Sequence, residues 1–176
     1  MNIDYFSKNK TGRLTLLAVF CALTISISYL ESIMPISPFL PPGAKPGFAN
    51  IVTMFICSCF GFFPAILIII IKSIFIALTR GFIAFIMSIS GGILSTLITG
   101  FLIRGSRFNL SFIFIGIIGA FFHNLAQIFV ASFIISNCLL YYLPILILLS
   151  IITGSITGLI LTIILPVLPK VHHYIK

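Results

Sequence analysis

The feature that most limits what this chain can become is the length of its apolar runs, which are continuous and longer than a soluble core helix needs. Inside a bilayer every backbone N–H and C=O has to find a partner within the protein, so a spanning chain is either helical or a closed barrel. Barrel strands alternate apolar and polar residues, and these runs do not. The chain therefore reads as an all-α integral membrane protein. Composition agrees, with 60% of its 176 residues hydrophobic and 7% charged, and a mean hydropathy of +1.31.

Prolines, glycines and charges divide the apolar sequence into six transmembrane helices: 13–34, 48–60, 64–78, 82–103, 110–135 and 144–168. A tail of residues 1–12 precedes this six-helix domain (13–168) and a tail of 169–176 follows it. Pro64 is acceptable in the first turn of a helix but not in its middle, so a turn, rather than one kinked span, separates the second and third helices. Both fall short of the roughly 20 residues that a perpendicular crossing takes. Gly91 and Gly92 predict a break in the fourth.

The net charge of +8 arises from ten Lys and Arg against Asp4 and Glu31. In a soluble protein such an excess suggests nucleic acid; here it reports topology, because cytoplasmic loops of membrane proteins collect Lys and Arg. Six spans with both termini cytoplasmic put Lys8, Lys10, Arg13, Arg104, Arg107, Lys170 and Lys176 on the inner side, leaving Lys45, Lys72 and Arg80. Merging the second and third spans would put Arg104 and Arg107 outside and Arg80 inside, which fits the rule worse. The first apolar stretch is too long for a signal-peptide core and reads as an uncleaved span.

Ionisable groups at membrane depth are expensive and usually face a cavity or a partner. Pro35, Pro38, Pro41, Pro42 and Pro46 make residues 35–46 a stiff extended loop, expected as an extracellular lid over the end of the bundle. Around it lie Glu31 near the outer end of the first helix, Lys45 in the loop, Asn50 at the start of the second and Lys72 in the middle of the third. His123, Asn124 and Gln127 share a face of the fifth helix. These seven are the candidate substrate-binding residues. With Arg80, three cations face one carboxylate, which favours an anionic or strongly hydrogen-bonding ligand. Lys72 could instead pair with Glu31 or snorkel, the amides could simply join helices, and Arg80 suits an interface anchor.

Catalysis has little to work with. The spans carry one acid, no paired carboxylates, no phosphate-binding glycine loop and no aspartate-rich magnesium motif. Cys21, Cys57, Cys59 and Cys138 lack the spacing of a zinc site, and His172-His173 is an adjacent pair on a short tail. No enzyme activity, cofactor or metal is expected. Ala18, Ala22 and Ser26, four residues apart, form a small-residue stripe on the first helix that lets another helix approach closely.

The run Tyr29-Leu30-Glu31-Ser32, the proline loop ending in Lys45-Pro46-Gly47-Phe48-Ala49-Asn50, the Ser90-Gly91-Gly92 step and His123-Asn124-x-x-Gln127 resemble the membrane family described as heptaprenyl diphosphate synthase component I, or Gx transporter. The resemblance covers roughly residues 13–165. That family is similar in turn to the substrate-binding S components of energy-coupling factor vitamin transporters, six-helix proteins whose first extracellular loop covers the ligand. Their first helix often carries an Ala-xxx-Ala motif against a transmembrane coupling subunit, and Ala18 and Ala22 match it. The resemblance implies an S-component-like bundle in a bacterial cytoplasmic membrane, importing a small molecule while partner ATPase subunits hydrolyse ATP. The family's label implies instead a non-catalytic membrane partner in prenyl diphosphate or quinone metabolism. A third reading is a structural assembly factor whose polar residues only join helices.

Overall fold

The computed structural model describes residues 10–33, 47–105, 110–134 and 137–167. Along these the chain forms α1 (Lys10–Ile33), α2 (Asn50–Cys59), α3 (Phe62–Arg80), α4 (Phe82–Gly105), α5 (Phe112–Ile134), a 3-10 segment (Asn137–Tyr142) and α6 (Leu143–Val167). No strand occurs among the described residues. Every one of these helices except α2 is long and apolar enough to cross a membrane, so the chain is an all-helical, multi-pass membrane protein. The proline loop lies outside the described residues.

Helix ends follow the punctuation in the sequence. Gly61, at φ +103°, closes α2 and opens α3, placing Pro64 in the first turn of α3, where its missing N–H costs nothing. The expected break at Gly91 and Gly92 does not occur, for α4 is one continuous helix. These glycines serve close packing: a Cβ on Gly91 would lie 2.9 Å from His123 Nδ1, and one on Gly92 would lie 2.6 Å from Ile69 Cγ2. A bare backbone lets α3 and α5 press against α4 without interrupting its hydrogen bonds.

Ten residues give α2 a length of about 15 Å, half the hydrocarbon thickness. It is also the hub of the bundle, touching each of the other five helices, whereas the main contacts of α1 among the described residues are with α2 and α3. Val52 through Ser58 are all buried. The larger apolar core forms around them, with Ala65 and Ile68 of α3, Ile115 of α5 and Leu161 of α6. From α1, Phe20 sets its ring centroid 5.1 Å from that of Phe55. A smaller apolar cluster, Met87, Ile128, Ala131 and Leu146, joins α4, α5 and α6.

The tightest crossing is α5 on α6. A Cβ on Gly154 would lie 2.4 Å from Ile117 Cα, and one on Gly158 would lie 2.3 Å from Ile113 Cα. Backbone meets backbone there, the use that small residues four apart serve in membranes. Gly158→Val therefore should separate the two helices and lower stability by about 1–3 kcal/mol, as overpacking does. A fall in the thermal midpoint of purified protein, absent for Leu159→Ala on the exposed side of α6, checks this.

Candidate functional site

Polar side chains from five helices meet in the half of the bundle away from Arg13 and Arg104. Ser28 and Glu31, three residues apart on α1, share a face. Asn50 is the first residue of α2, and Lys72 follows ten residues into α3. Ser88 comes from α4, and His123 and Gln127, four apart, from α5. With Gly47 and Ala49 of the turn before α2, these residues line one cavity. All six of the polar helix residues other than Asn50 are at most 7% exposed, and Lys72 is only 3% exposed. The cavity, about 10 Å³, has room for roughly one water molecule.

Hydrogen bonds tie the walls together. The Phe48 N–H donates to Glu31 Oε1, which fastens the turn before α2 to the last part of α1. Glu31 and Lys72, both buried, face the same cavity. Gln127 Nε2 lies 2.8 Å from His123 Nε2; an amide nitrogen only donates, so the imidazole accepts. Ser73 and Ser88 hydroxyls, 3.1 Å apart, join α3 to α4. The buried Asn50 Nδ2 has no partner among the described residues, a donor turned toward whatever acceptor enters. An ammonium, a carboxylate, an imidazole and amides around one space can recognise a polar guest.

The family profile of heptaprenyl diphosphate synthase component I matches residues 20–164. The chain belongs to that family. No curated protein and no solved structure matches it. The matched stretch contains every cavity residue, so the polar cluster lies within the part of the chain that the family shares.

Of the seven candidate residues, this family member brings Glu31, Asn50, Lys72, His123 and Gln127 to one cavity. Asn124 stands beside it: its Nδ2 donates to Ser150 Oγ at 2.9 Å, and Ser150 Oγ donates in turn to Leu146 O at 2.6 Å, all within the α5–α6 interface. Lys45 lies outside the described residues. Arg80 is exposed at the end of α3. Ala18, Ala22 and Ser26 are exposed on α1. No group of three or more His, Cys, Asp or Glu side chains comes together among the described residues.

Two parts of the site had little signal in the sequence. Ser28 and Ser88 join the cavity, and only Ser28, one turn before Glu31, had a spacing that pointed there. A second cavity of similar size begins on the other side of Asn50, lined by Thr53, Ser95, Thr96, Thr99 and Thr157. Thr53, Thr99 and Thr157 donate to carbonyls of their own helices, so each turns an oxygen lone pair inward. Single hydroxyls of this kind, spread over three helices, form no pattern in the linear sequence.

Removing one member of a buried charge pair leaves the other uncompensated, at a cost of about 3–5 kcal/mol. Lys72→Met and Glu31→Gln should each lower the unfolding midpoint of the purified protein steeply, and the double substitution should recover much of the loss. Strictly additive losses in this double-mutant cycle would show that the two charges do not act on each other.

Proposed function

We propose that this protein is the substrate-binding membrane subunit of an energy-coupling factor-type importer, taking up a small anionic or polar molecule. The observation that carries this reading is the convergence of Glu31, Asn50, Lys72, His123 and Gln127, from α1, α2, α3 and α5, on a single cavity. Buried ionisable groups are costly unless they serve a partner, and a cluster built from four separate helices is an expensive way to join two of them. Arg13 and Arg104 lie at the opposite end of the bundle, which the positive-inside rule makes cytoplasmic. The cavity then belongs to the outer half of a bacterial cytoplasmic membrane, and Lys45 joins the binding set by its charge.

Ligand pockets usually enclose about 300–1,000 Å³, whereas this one holds about a water. The described state is thus a closed one, and a ligand enters by displacing structure. The candidate for that movement is α1, whose main contacts among the described residues are with α2 and α3 and which reaches the turn before α2 through Glu31 and the Phe48 N–H. The exposed stripe Ala18, Ala22 and Ser26 on the same helix offers a flat face to a transmembrane coupling subunit. ATP hydrolysis belongs to partner ATPase subunits, and this chain works without catalysis, cofactor or metal.

A second reading rests on the family's description, which names one component of a prenyl diphosphate synthase: a non-catalytic membrane partner that holds a lipid diphosphate or docks an enzyme. Thermal-shift screening of the purified chain against vitamins, flavins, quinone precursors and prenyl phosphates separates the two. The importer reading expects one water-soluble class to stabilise the protein, with about tenfold or greater loss of affinity in Lys72→Met, as for a charged hydrogen bond. Ala22→Leu should keep that binding and lose uptake in cells. Stabilisation by prenyl phosphates alone would favour the second reading, and no response to any class would leave a purely structural role.

A further inference from the structure

At the end of the bundle away from the polar cavity, two arginines from different helices meet over one turn. Arg13 of α1 donates from Nη2 to the carbonyl of Phe60 at 3.1 Å, satisfying an acceptor that the end of α2 leaves open. Arg104, in the last turn of α4, sets its Nη2 where a Cβ on the next residue, Gly61, would come within 2.9 Å. Gly61, at φ +103°, leaves the guanidinium free to lie against the chain, where a side chain would push it aside. Lys10 stands one turn before Arg13 on the same side of α1. Both arginines are exposed, and Arg13 spends a single donor of its five on Phe60.

These charges have no carboxylate near them among the described residues. The chain holds two acids, Asp4 and Glu31. Asp4 lies outside the described residues, and Glu31 is 18 residues further along α1, about 27 Å away at 1.5 Å per residue. That separation is well beyond the roughly 8–10 Å over which exposed charges act in salt. The surface beside the arginines is apolar: Leu14, Phe63 and Phe101 are each at least 70% exposed. Phe101 lies one turn from Arg104, Leu14 is next to Arg13, and Phe63 is the second residue of α3, two after Gly61.

We propose that the Arg13–Arg104 pair over the Phe60–Gly61 turn binds the phosphate of a membrane lipid, whose chains lie along Leu14, Phe63 and Phe101. A guanidinium fork matches phosphate oxygens bidentately, and basic pockets between helices at the cytoplasmic interface take anionic head groups. The apolar flank selects an occupant anchored in the bilayer over a soluble phosphate. The site stands apart from the polar cavity and does not rest on the importer reading.

The test uses the full chain, delipidated in a neutral detergent and titrated with dioleoylphosphatidylglycerol, dioleoylphosphatidylcholine or inorganic diphosphate, with bound lipid read by native mass spectrometry. Phosphatidylglycerol should be retained in preference to phosphatidylcholine. Arg13→Gln and Arg104→Gln should each weaken that retention about fivefold, the usual worth of one interfacial cation, while Arg80→Gln at the other end of α3 leaves it unchanged. Arg104→Lys should keep part of the preference, since the charge remains and the fork is lost. Thermal melts of each variant separate loss of binding from loss of fold. Equal retention of the two lipids, or unchanged retention in both glutamine variants, would overturn the proposal. Displacement of the lipid by inorganic diphosphate at comparable concentration would overturn the membrane-anchored occupant.

Discussion

Hydrocarbon supplies no partner for a backbone N–H or C=O, so a helix of ten residues can stand at membrane depth only when enclosed by protein. Such is the position of α2, which all five long helices surround. Much of the site follows from that enclosure. Because α2 is short, its first turn and the residues before it must find hydrogen-bond partners beside buried helices. Gly47 and Phe48 supply carbonyls to the N–H groups of Asn50 and Ile51, and the Phe48 N–H goes to Glu31. A carboxylate recruited to hold a backbone donor brings its own charge, and Lys72 answers it.

The two ends of α2 therefore meet different chemistry. Its start lies among Glu31, Lys72, His123 and Gln127, while its finish at Phe60 is capped by Arg13 with Arg104 alongside. Between them, Val52, Met54, Phe55, Ile56 and Cys57 form the centre of the larger apolar core. The charged groups gather at these two ends, and many of the helix–helix contacts between them rely on shape. Gly154 and Gly158 show how far that goes, bringing α5 and α6 to backbone contact without any hydrogen bond between the two glycines' neighbours being needed.

Helix positions were legible because the bilayer makes one pattern compulsory. Expected spans of 64–78 and 82–103 correspond to Phe62–Arg80 and Phe82–Gly105, their ends set by Gly61 and Gly81 at positive φ. Gly91 and Gly92 misled for a physical reason: glycine weakens a helix in water, but inside a packed bundle its missing side chain is worth more as clearance, here for His123 and Ile69. The five cavity residues could be named from charge and polarity alone, since so few such residues occur in the apolar sequence. Their neighbours Ser28 and Ser88, and the hydroxyls of the second cavity, could not. A serine or threonine in a membrane helix can bond its own backbone, as Thr99 and Thr157 do, so its sequence position says nothing of which space it faces. Asn124 illustrates the same limit at one-residue resolution. A step of 100° from His123 turns it from the cavity to Ser150 on α6.

The closed cavity places a condition on any ligand. Glu31 accepts from Phe48 and faces Lys72 in the described state, so the groups that would recognise a guest are the groups that now hold the walls together. A guest that contacts Lys72 without offering it negative charge would leave a buried ammonium facing a displaced carboxylate, a loss that exceeds what one hydrogen bond returns. An anionic group avoids that loss, because it can take over the role of Glu31 toward Lys72.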